Sequence, residues 1–88
     1  MIQLKYDKKF LKEVQKLPVK TQKKVAEQLE ILGSQPFDSR LHSKALHPPL
    51  QGLFSVRVTR EYRILFRFID EETIFLIHVR HRKDIYRK

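Results

Sequence analysis

Residues 56–68 read VRVTREYRILFRF, and their pattern predicts the centre of the fold. Apolar and polar residues alternate on both sides of a short polar break, which is typical of two half-buried β-strands joined by a turn. Four of the polar positions are arginines, at 57, 60, 63 and 67. A strand that is half core does not need so much fixed positive charge, so these arginines require a separate explanation.

The C-terminal third of the chain predicts an antiparallel meander of three strands, because FSVRVT, YRILFRFI and TIFLIHVR all have a period of two and follow each other closely. For the first two strands to face one core, Val58 should pair with Ile64 across a three-residue turn at 60–62. For the last two, Phe68 should lie opposite Phe75 across an acidic turn. The expected core face comprises Phe54, Val56, Val58, Ile64, Phe66, Phe68, Phe75, Ile77 and Val79.

The opposite face of this meander should carry positive charge at one end. The same register places Arg63 opposite Arg80 and Leu65 opposite His78. The basic side chains expected there are Arg57, Arg63, His78, Arg80 and Arg82, and the far end should be apolar, with Ile69, Ile74 and Leu76. Like charges directly opposite each other destabilise a sheet, so the fold itself does not require this row of arginines. The alternative to a binding site is a basic face that is merely solvated. Convergence from three strands favours an anion site, because the guanidinium fork binds phosphate in a bidentate manner.

The N-terminal third predicts a strand, MIQLKY, and then an antiparallel pair of helices. Asp7 can cap the first helix, and Pro18 suits the start of the second. The apolar stripes are Phe10, Leu11, Val14 and Leu17 in the first helix and Val25, Ala26, Leu29 and Leu32 in the second. Gly33 is expected to end the second helix. Residues 34–51 should form an irregular connection, because three prolines interrupt them.

The expected architecture is therefore an α+β fold, with residues 1–88 as a single domain. A twisted, mostly antiparallel sheet of four strands should carry the helix pair on one face. The net charge of +9 and the pI of about 10.1 point to a polyanionic partner, which could be nucleic acid, an anionic membrane or an acidic protein. The chain has no cysteine, no apolar signal segment and no membrane-length apolar run, so a cytoplasmic location without membrane association is expected.

Three short motifs resemble the RelE/ParE superfamily of toxins from type II toxin–antitoxin modules. They are L-x-x-x-L-x-G-x-x-S-x-R-V at residues 46–58, E-Y-R-I at 61–64 and H-R-K-D-I-Y at 81–86. Each motif is weak alone, but their order and spacing extend the resemblance over nearly the whole chain.

The resemblance implies an endoribonuclease that cuts mRNA, often on the ribosome, without a metal or other cofactor. In such enzymes a ribose 2′-OH attacks the neighbouring phosphate and leaves a 2′,3′-cyclic phosphate. Carried over position by position, the family's catalytic residues match Arg63, Arg57, Arg82 and Tyr86, the last with a one-residue gap. Further RNA-binding residues would be Lys44, His78, Arg80, His81 and Lys83. His78 and His81 point to opposite faces of a strand, so they form a poor metal pair.

The identity of the general base stays open at this stage, because arginine cannot accept a proton. Tyr86, His81, His78 and Lys44 are the candidates. The resemblance also implies a cognate antitoxin as partner, with operator DNA bound only through that antitoxin. One alternative is a ParE-like inhibitor of DNA gyrase that catalyses nothing, and another is a non-toxic RNA-binding relative.

The net charge generates a first prediction. Affinity for RNA or ribosomes should fall steeply between low and physiological salt, because each neutralised phosphate releases condensed counterions. A filter-binding titration at several salt concentrations measures the slope. An affinity independent of salt would contradict the interpretation of the basic composition.

Overall fold

The computed structural model describes residues 1–85. Its elements are β1 (Gln3–Tyr6), α1 (Lys8–Gln15), α2 (Val19–Ser34), a 3₁₀ helix (Ser39–Leu41), β2 (Lys44–Ala45), β3 (Phe54–Arg57), β4 (Tyr62–Asp70), β5 (Thr73–His81) and α3 (Arg82–Ile85). The strands form one sheet in the order β1-β5-β4-β3-β2. Strand β1 runs parallel to β5, and the other neighbouring pairs are antiparallel.

The α+β architecture is confirmed, but the sheet has five strands rather than four. The additional strand, β2, lies in the connection that its prolines predicted to be irregular. Lys44 pairs with Ser55 and Ala45 with Phe54. A proline restricts its own main chain and that of the residue before it, so these two residues remain able to pair.

The two long helices begin as expected, and the second continues one residue beyond its predicted stop at Gly33. The Asp7 carboxylate accepts a hydrogen bond from the Lys9 amide at 2.8 Å and caps α1. Helix α2 passes through Gly33 and ends at Ser34, so the predicted stop is wrong. The Gly33 carbonyl instead accepts from the Ile2 amide at 2.9 Å and ties α2 to the sheet. Among residues 1–85, no helix is long and apolar enough to span a membrane.

The main core lies between the helices and one face of the sheet. Its buried members are Phe10, Val25, Leu32, Leu41, Val56, Val58, Ile64, Phe66, Ile74, Leu76 and Val79. Ala26 and Leu11 are exposed, contrary to the predicted helical stripes. Gln28 is instead only 3% exposed. Its side-chain amide donates to the carbonyls of Arg57 at 2.7 Å and Arg40 at 3.2 Å, which offsets the cost of burial.

The register of β3 against β4 differs from the expected one by two residues. Val56, not Val58, lies opposite Ile64, and the connection between the two strands comprises residues 58–61. A shift of two preserves the face of every side chain, so the core assignment survives. The turn contains no glycine, but the Thr59 hydroxyl accepts from the amides of Glu61 and Tyr62, each at 3.2 Å. The hydroxyl therefore satisfies main-chain donors within the turn.

The register predicted for β4 against β5 is confirmed at one end of the pair and wrong at the other. Arg63 lies opposite Arg80 and Leu65 opposite His78, as predicted. The pairing then shifts, so that Phe68 faces Ile74 rather than Phe75. An extra residue in one strand reverses the faces of those beyond it. Four predicted faces are therefore wrong, because Ile74 and Leu76 are buried in the main core while Phe75 and Ile77 are only partly buried and lie outside it.

A second, smaller cluster covers part of the opposite sheet face. Leu46, Leu65 and Ile85 are each at most 6% exposed, and Leu50 and Leu53 pack against them. Ile85 comes from α3 and Leu65 from the centre of β4. This cluster therefore fixes the C-terminal helix on the face that carries the arginines.

Substitution of Gln28 by methionine should destabilise the protein by about 1–3 kcal/mol. Methionine keeps a similar length and remains apolar, but it leaves the Arg57 carbonyl without this donor. Chemical denaturation measures the change in free energy of unfolding. Glu30→Gln, at an exposed site on the same helix, should stay within about 0.5 kcal/mol of wild type. Equal stabilities of the two variants would show that the Gln28 amide contributes nothing.

Candidate anion-binding site

A cleft of about 420 Å³ opens on the sheet face opposite the main core. The residues that line it are His42, Lys44, Ser55, Arg57, Arg63, Arg82, Lys83 and Ile85. Five of these residues are lysine or arginine, and none of the lining residues that the structure describes is acidic. The cleft is therefore an electropositive concavity suited to an anionic ligand.

Three neighbouring strands carry the row of arginines beside this cleft. Arg57 lies directly opposite Arg63, and Arg63 lies directly opposite Arg80. The Gln28 hydrogen bond fixes the Arg57 carbonyl, so the start of the row is tied to α2 through the core. Arg57 is exposed, whereas Arg63 is half-buried at the centre of the row.

The Arg63 guanidinium also supports the turn between β3 and β4. Its Nη1 donates to the carbonyls of Thr59 at 2.9 Å, Arg60 at 3.1 Å and Tyr62 at 3.3 Å. From sequence, the loss of this arginine would leave stability unchanged or higher, since it would relieve repulsion from Arg80. The turn contacts revise that expectation, because replacement by alanine removes hydrogen bonds as well as charge.

Two predicted RNA-binding residues lie at a different place on the sheet. His78 Nδ1 is 3.1 Å from Glu13 Oε1, and Arg80 Nε donates to Glu13 Oε2 at 3.3 Å. Glu13 Oε1 also accepts from the Val79 main-chain amide at 3.2 Å. The Glu13 carboxylate of α1 therefore engages both side chains at the open edge of β5. The sequence reasoning missed this partner because helix and strand are 65 residues apart.

The remaining histidine of β5 also lies away from the cleft. His81 packs edge-on against the Tyr62 ring, with centroids 5.7 Å apart, and its Nε2 is 3.7 Å from a Glu61 carboxylate oxygen. Its Nδ1 accepts from the Lys83 amide at 3.1 Å. His81 is therefore an edge histidine that helps to start α3. Tyr86 lies outside the described residues, so its catalytic role stays a prediction.

Helix α3 brings two predicted site residues into the cleft. The Arg82 amide donates to the Glu61 carbonyl at 2.7 Å, which fixes the point where the chain leaves β5. Ile85, one turn later, is buried against Leu46 and Leu65. Because both ends of this single turn are held, the side chains of Arg82 and Lys83 line the cleft.

His42 also lines the cleft, and sequence reasoning did not identify it. It adopts a left-handed conformation, with φ 49° and ψ 45°, at the end of the 3₁₀ helix. Such a conformation is uncommon outside glycine, although histidine is among the residues enriched there. The sequence gives only a weak signal that His42 belongs to the site, since the segment around it shows no periodicity that would place its side chains.

An exposed ion pair precedes His42. The Asp38 carboxylate caps the 3₁₀ helix by accepting from the Arg40 amide at 2.9 Å, and it also accepts from Arg40 Nε at 3.0 Å. Hydrogen bonds from the Arg40 side chain and amide lower the pKa of Asp38 to about 2. At neutral pH this carboxylate therefore remains ionised and holds the segment that leads to the cleft.

The acidic turn between β4 and β5 forms a separate surface. There Asp70 Oδ1 accepts from the Glu72 amide at 2.8 Å, and this hydrogen bond is the main cause of the lowered pKa of Asp70. None of these turn residues lines the basic cleft. Within residues 1–85, histidine and acidic side chains form no group of three that could hold a metal ion.

Comparison with known proteins identifies the family. The family described as "ParE toxin of type II toxin-antitoxin system, parDE" matches residues 4–86. A chain of the toxin–antitoxin complex RelBE2 from Mycobacterium tuberculosis is 30% identical, with a TM-score of 0.76. The alignment covers 92% of this chain and 98% of that one. No curated protein sequence matches this chain significantly.

Two more distant structures share the fold. The YoeB/ParE toxin from Agrobacterium tumefaciens is 18% identical, with a TM-score of 0.79 over 92% of this chain and 99% of that chain. A chain of the archaeal RelE–RelB complex from Pyrococcus horikoshii is 21% identical, with a TM-score of 0.76 over 92% and 94%. The chain belongs to the ParE toxin family of type II toxin–antitoxin systems, which confirms its resemblance to the RelE/ParE superfamily.

Inorganic phosphate should stabilise the wild-type protein against thermal unfolding by occupying the cleft. At ten times the dissociation constant, the gain would be about 1.4 kcal/mol. The increment should shrink in Arg57→Gln, which removes one cation from the cleft. Differential scanning fluorimetry with increasing phosphate measures it.

Arg67→Gln is the matched control, because it removes the same charge from the same sheet. Arg67 lies outside the cleft, with its guanidinium carbon 5.5 Å from the centre of the Phe75 ring. The phosphate increment should persist in this variant. Equal losses of the phosphate-induced stabilisation in both variants would indicate general charge screening rather than binding in the cleft.

Proposed function

We propose that this chain is the toxin of a type II module and acts as an endoribonuclease on ribosome-bound mRNA. The observation that carries the proposal is the cleft itself, in which three arginines and two lysines converge without a carboxylate among the described lining residues. Such a site favours a phosphodiester over a neutral or cationic ligand. A ribose 2′-OH supplies the nucleophile from the substrate, so the protein needs only to position groups and move protons.

The arginines have a clear task in this reaction. When the 2′ oxygen attacks, negative charge grows on the non-bridging phosphate oxygens, and fixed donors lower the barrier. Arg63 and Arg57 are cross-strand neighbours, so their guanidinium groups can engage one phosphate or two adjacent ones. Arg82 approaches from α3 on another side of the cleft. Tyr86, which follows Ile85 in sequence, remains the proposed stacking or proton-transfer residue.

The helices offer a second basic surface, which supports docking on ribosomal RNA. Lysines occupy many exposed positions between residues 8 and 24, namely Lys8, Lys9, Lys12, Lys16, Lys20, Lys23 and Lys24. The Glu13 carboxylate is held against His78, Val79 and Arg80. The acidic residue of α1 is therefore directed to the sheet, while its lysines remain available to phosphates.

A cognate antitoxin is part of the proposed function. Several of the similar chains come from the toxin–antitoxin complexes RelBE2, YoeB–YefM and RelE–RelB. An antitoxin with acidic side chains would neutralise the cleft and block access to RNA. Operator DNA would be bound through that antitoxin rather than by this chain.

Inhibition of DNA gyrase is the second candidate function. It is favoured by the family description, which names the ParE toxin of the parDE system. The two functions leave different products after expression without antitoxin. Primer extension should reveal cleaved mRNA for the ribonuclease, whereas trapped gyrase–DNA complexes would indicate the inhibitor.

Arg63→Ala should abolish growth arrest and reduce mRNA cleavage by about 100- to 1000-fold. The loss of three hydrogen bonds to the turn should also destabilise the protein by at least about 1 kcal/mol. Arg63→Lys should restore only part of the activity, because an ammonium group lacks the planar fork. Single-turnover cleavage and chemical denaturation measure the two effects separately.

Arg60→Ala is the matched control, since its side chain lies in the exposed turn and its carbonyl remains available to Arg63. This variant should stay toxic and cleave mRNA at a near wild-type rate. A folded Arg63→Ala protein with wild-type cleavage would show that this arginine has no catalytic role.

A further inference from the structure

We infer that His42 is the general base of the cleft, an assignment that rests on the proposed ribonuclease function. This residue lines the same cleft as Arg57 and Arg63. The side chain would take the proton from the ribose 2′-OH at the cleavage site. Histidine suits this task because a neutral imidazole carries one nitrogen that can accept a proton and later return it.

The backbone around His42 is anchored on both sides, although the residue itself is exposed. Leu41, immediately before it, is completely buried in the main core. Ser43, immediately after it, donates from its hydroxyl to the Pro36 carbonyl at 2.6 Å. Two residues earlier, the Arg40 carbonyl accepts from the buried Gln28 amide. A fixed main chain limits where the exposed imidazole of His42 can reach, which favours a role that depends on position.

The cleft joins His42 to the arginine row. Lys44, two residues after His42, lies opposite Ser55, two residues before Arg57, in the pairing of β2 with β3. Arg57 is itself opposite Arg63. Gln28 joins both sides of this arrangement, because its amide binds the carbonyls of Arg40 and Arg57. One hydrogen-bonding side chain thus ties the segment before His42 to the main chain of Arg57.

The other candidates among the residues that the structure describes fit the role less well. His78 contacts Glu13 and His81 packs on Tyr62, and neither histidine lines the cleft. Arginine does not release its proton in proteins. Lys44 does line the cleft, but a lysine ordinarily carries its proton at neutral pH and would have to lose it first.

The reaction balances with water as the source and acceptor of protons. The imidazole of His42 removes the 2′-OH proton as the 2′ oxygen bonds to phosphorus. The bond between phosphorus and the 5′ oxygen breaks, and that oxygen takes a proton from water. The imidazolium then returns its proton to the resulting hydroxide. The products are a 2′,3′-cyclic phosphate and a 5′-hydroxyl end.

The test uses two variants that keep the local backbone conformation. Asparagine and glycine both tolerate a positive φ, but neither can serve as a base. His42→Asn and His42→Gly should reduce single-turnover cleavage of ribosome-bound mRNA by about 10²- to 10⁴-fold. Melting temperature and RNA affinity should stay near those of wild type. Added imidazole should restore part of the activity of His42→Gly, an effect that a purely structural role would not produce.

The pH dependence provides a second readout. Wild-type cleavage should slow on acidification, because a protonated imidazole cannot accept the 2′ proton, whereas His42→Asn should lose that dependence. The charged groups that share the cleft are Lys44, Arg57, Arg63, Arg82 and Lys83. A substrate with sulfur in place of the leaving 5′ oxygen separates the possible roles. Rescue of His42→Asn by this substrate would identify His42 as the acid and overturn its assignment as base.

His47→Asn is the matched control, because His47 is exposed in the same connection but does not line the cleft. It should cleave at the wild-type rate. If wild type cleaves mRNA and His42→Asn cleaves equally fast, the base assignment is wrong while the proposed function stands. If wild type cleaves no mRNA, the proposed function itself fails, and the role of His42 fails with it.

Discussion

Strand β4 must supply both a buried face and a cleft-lining face, and the packing on each side of the sheet follows from that requirement. Its main chain bonds to β3 on one side and β5 on the other, so it lies at the centre of the sheet. Ile64 and Phe66 are completely buried beneath the helices, while Arg63 between the turn and the core faces the cleft. Strand alternation therefore couples core packing to site geometry, because any odd register shift would bury the arginine.

Alternation also explains what the sequence could predict. The faces of Val56, Ile64 and Arg63 follow from a period of two, and they survive a register error of two residues. The pairing of Arg63 with Arg80 is likewise correct. The reversed faces of Ile74 and Leu76 could not be read in this way, because an irregularity beyond Leu65 breaks the period and no residue pattern marks it. In this part of β5, the burial of apolar side chains in the folded core determines which residues face inward, rather than local propensity.

Long-range contacts set the remaining limit on prediction of the site. Arg57, Arg63, Arg82, Lys44 and Lys83 do come together, as the basic pattern and the family motifs suggested. His78 and Arg80 do not join them, since Glu13 engages both from a helix far away in sequence. His42 lies in a segment whose course depends on buried neighbours and on one glutamine amide. Neither composition nor periodicity could reveal those contacts.

The contact of Glu13 with β5 also affects the tendency of the protein to aggregate. Beyond Leu76 the strand β5 has no β1 neighbour, and an exposed strand edge can recruit another chain into a growing sheet. Glu13 occupies the Val79 amide on that edge with a charged side chain. At the opposite side of the sheet, β2 contains only two residues. Both devices oppose edge-to-edge aggregation, which matters for a small basic protein until a specific partner covers it.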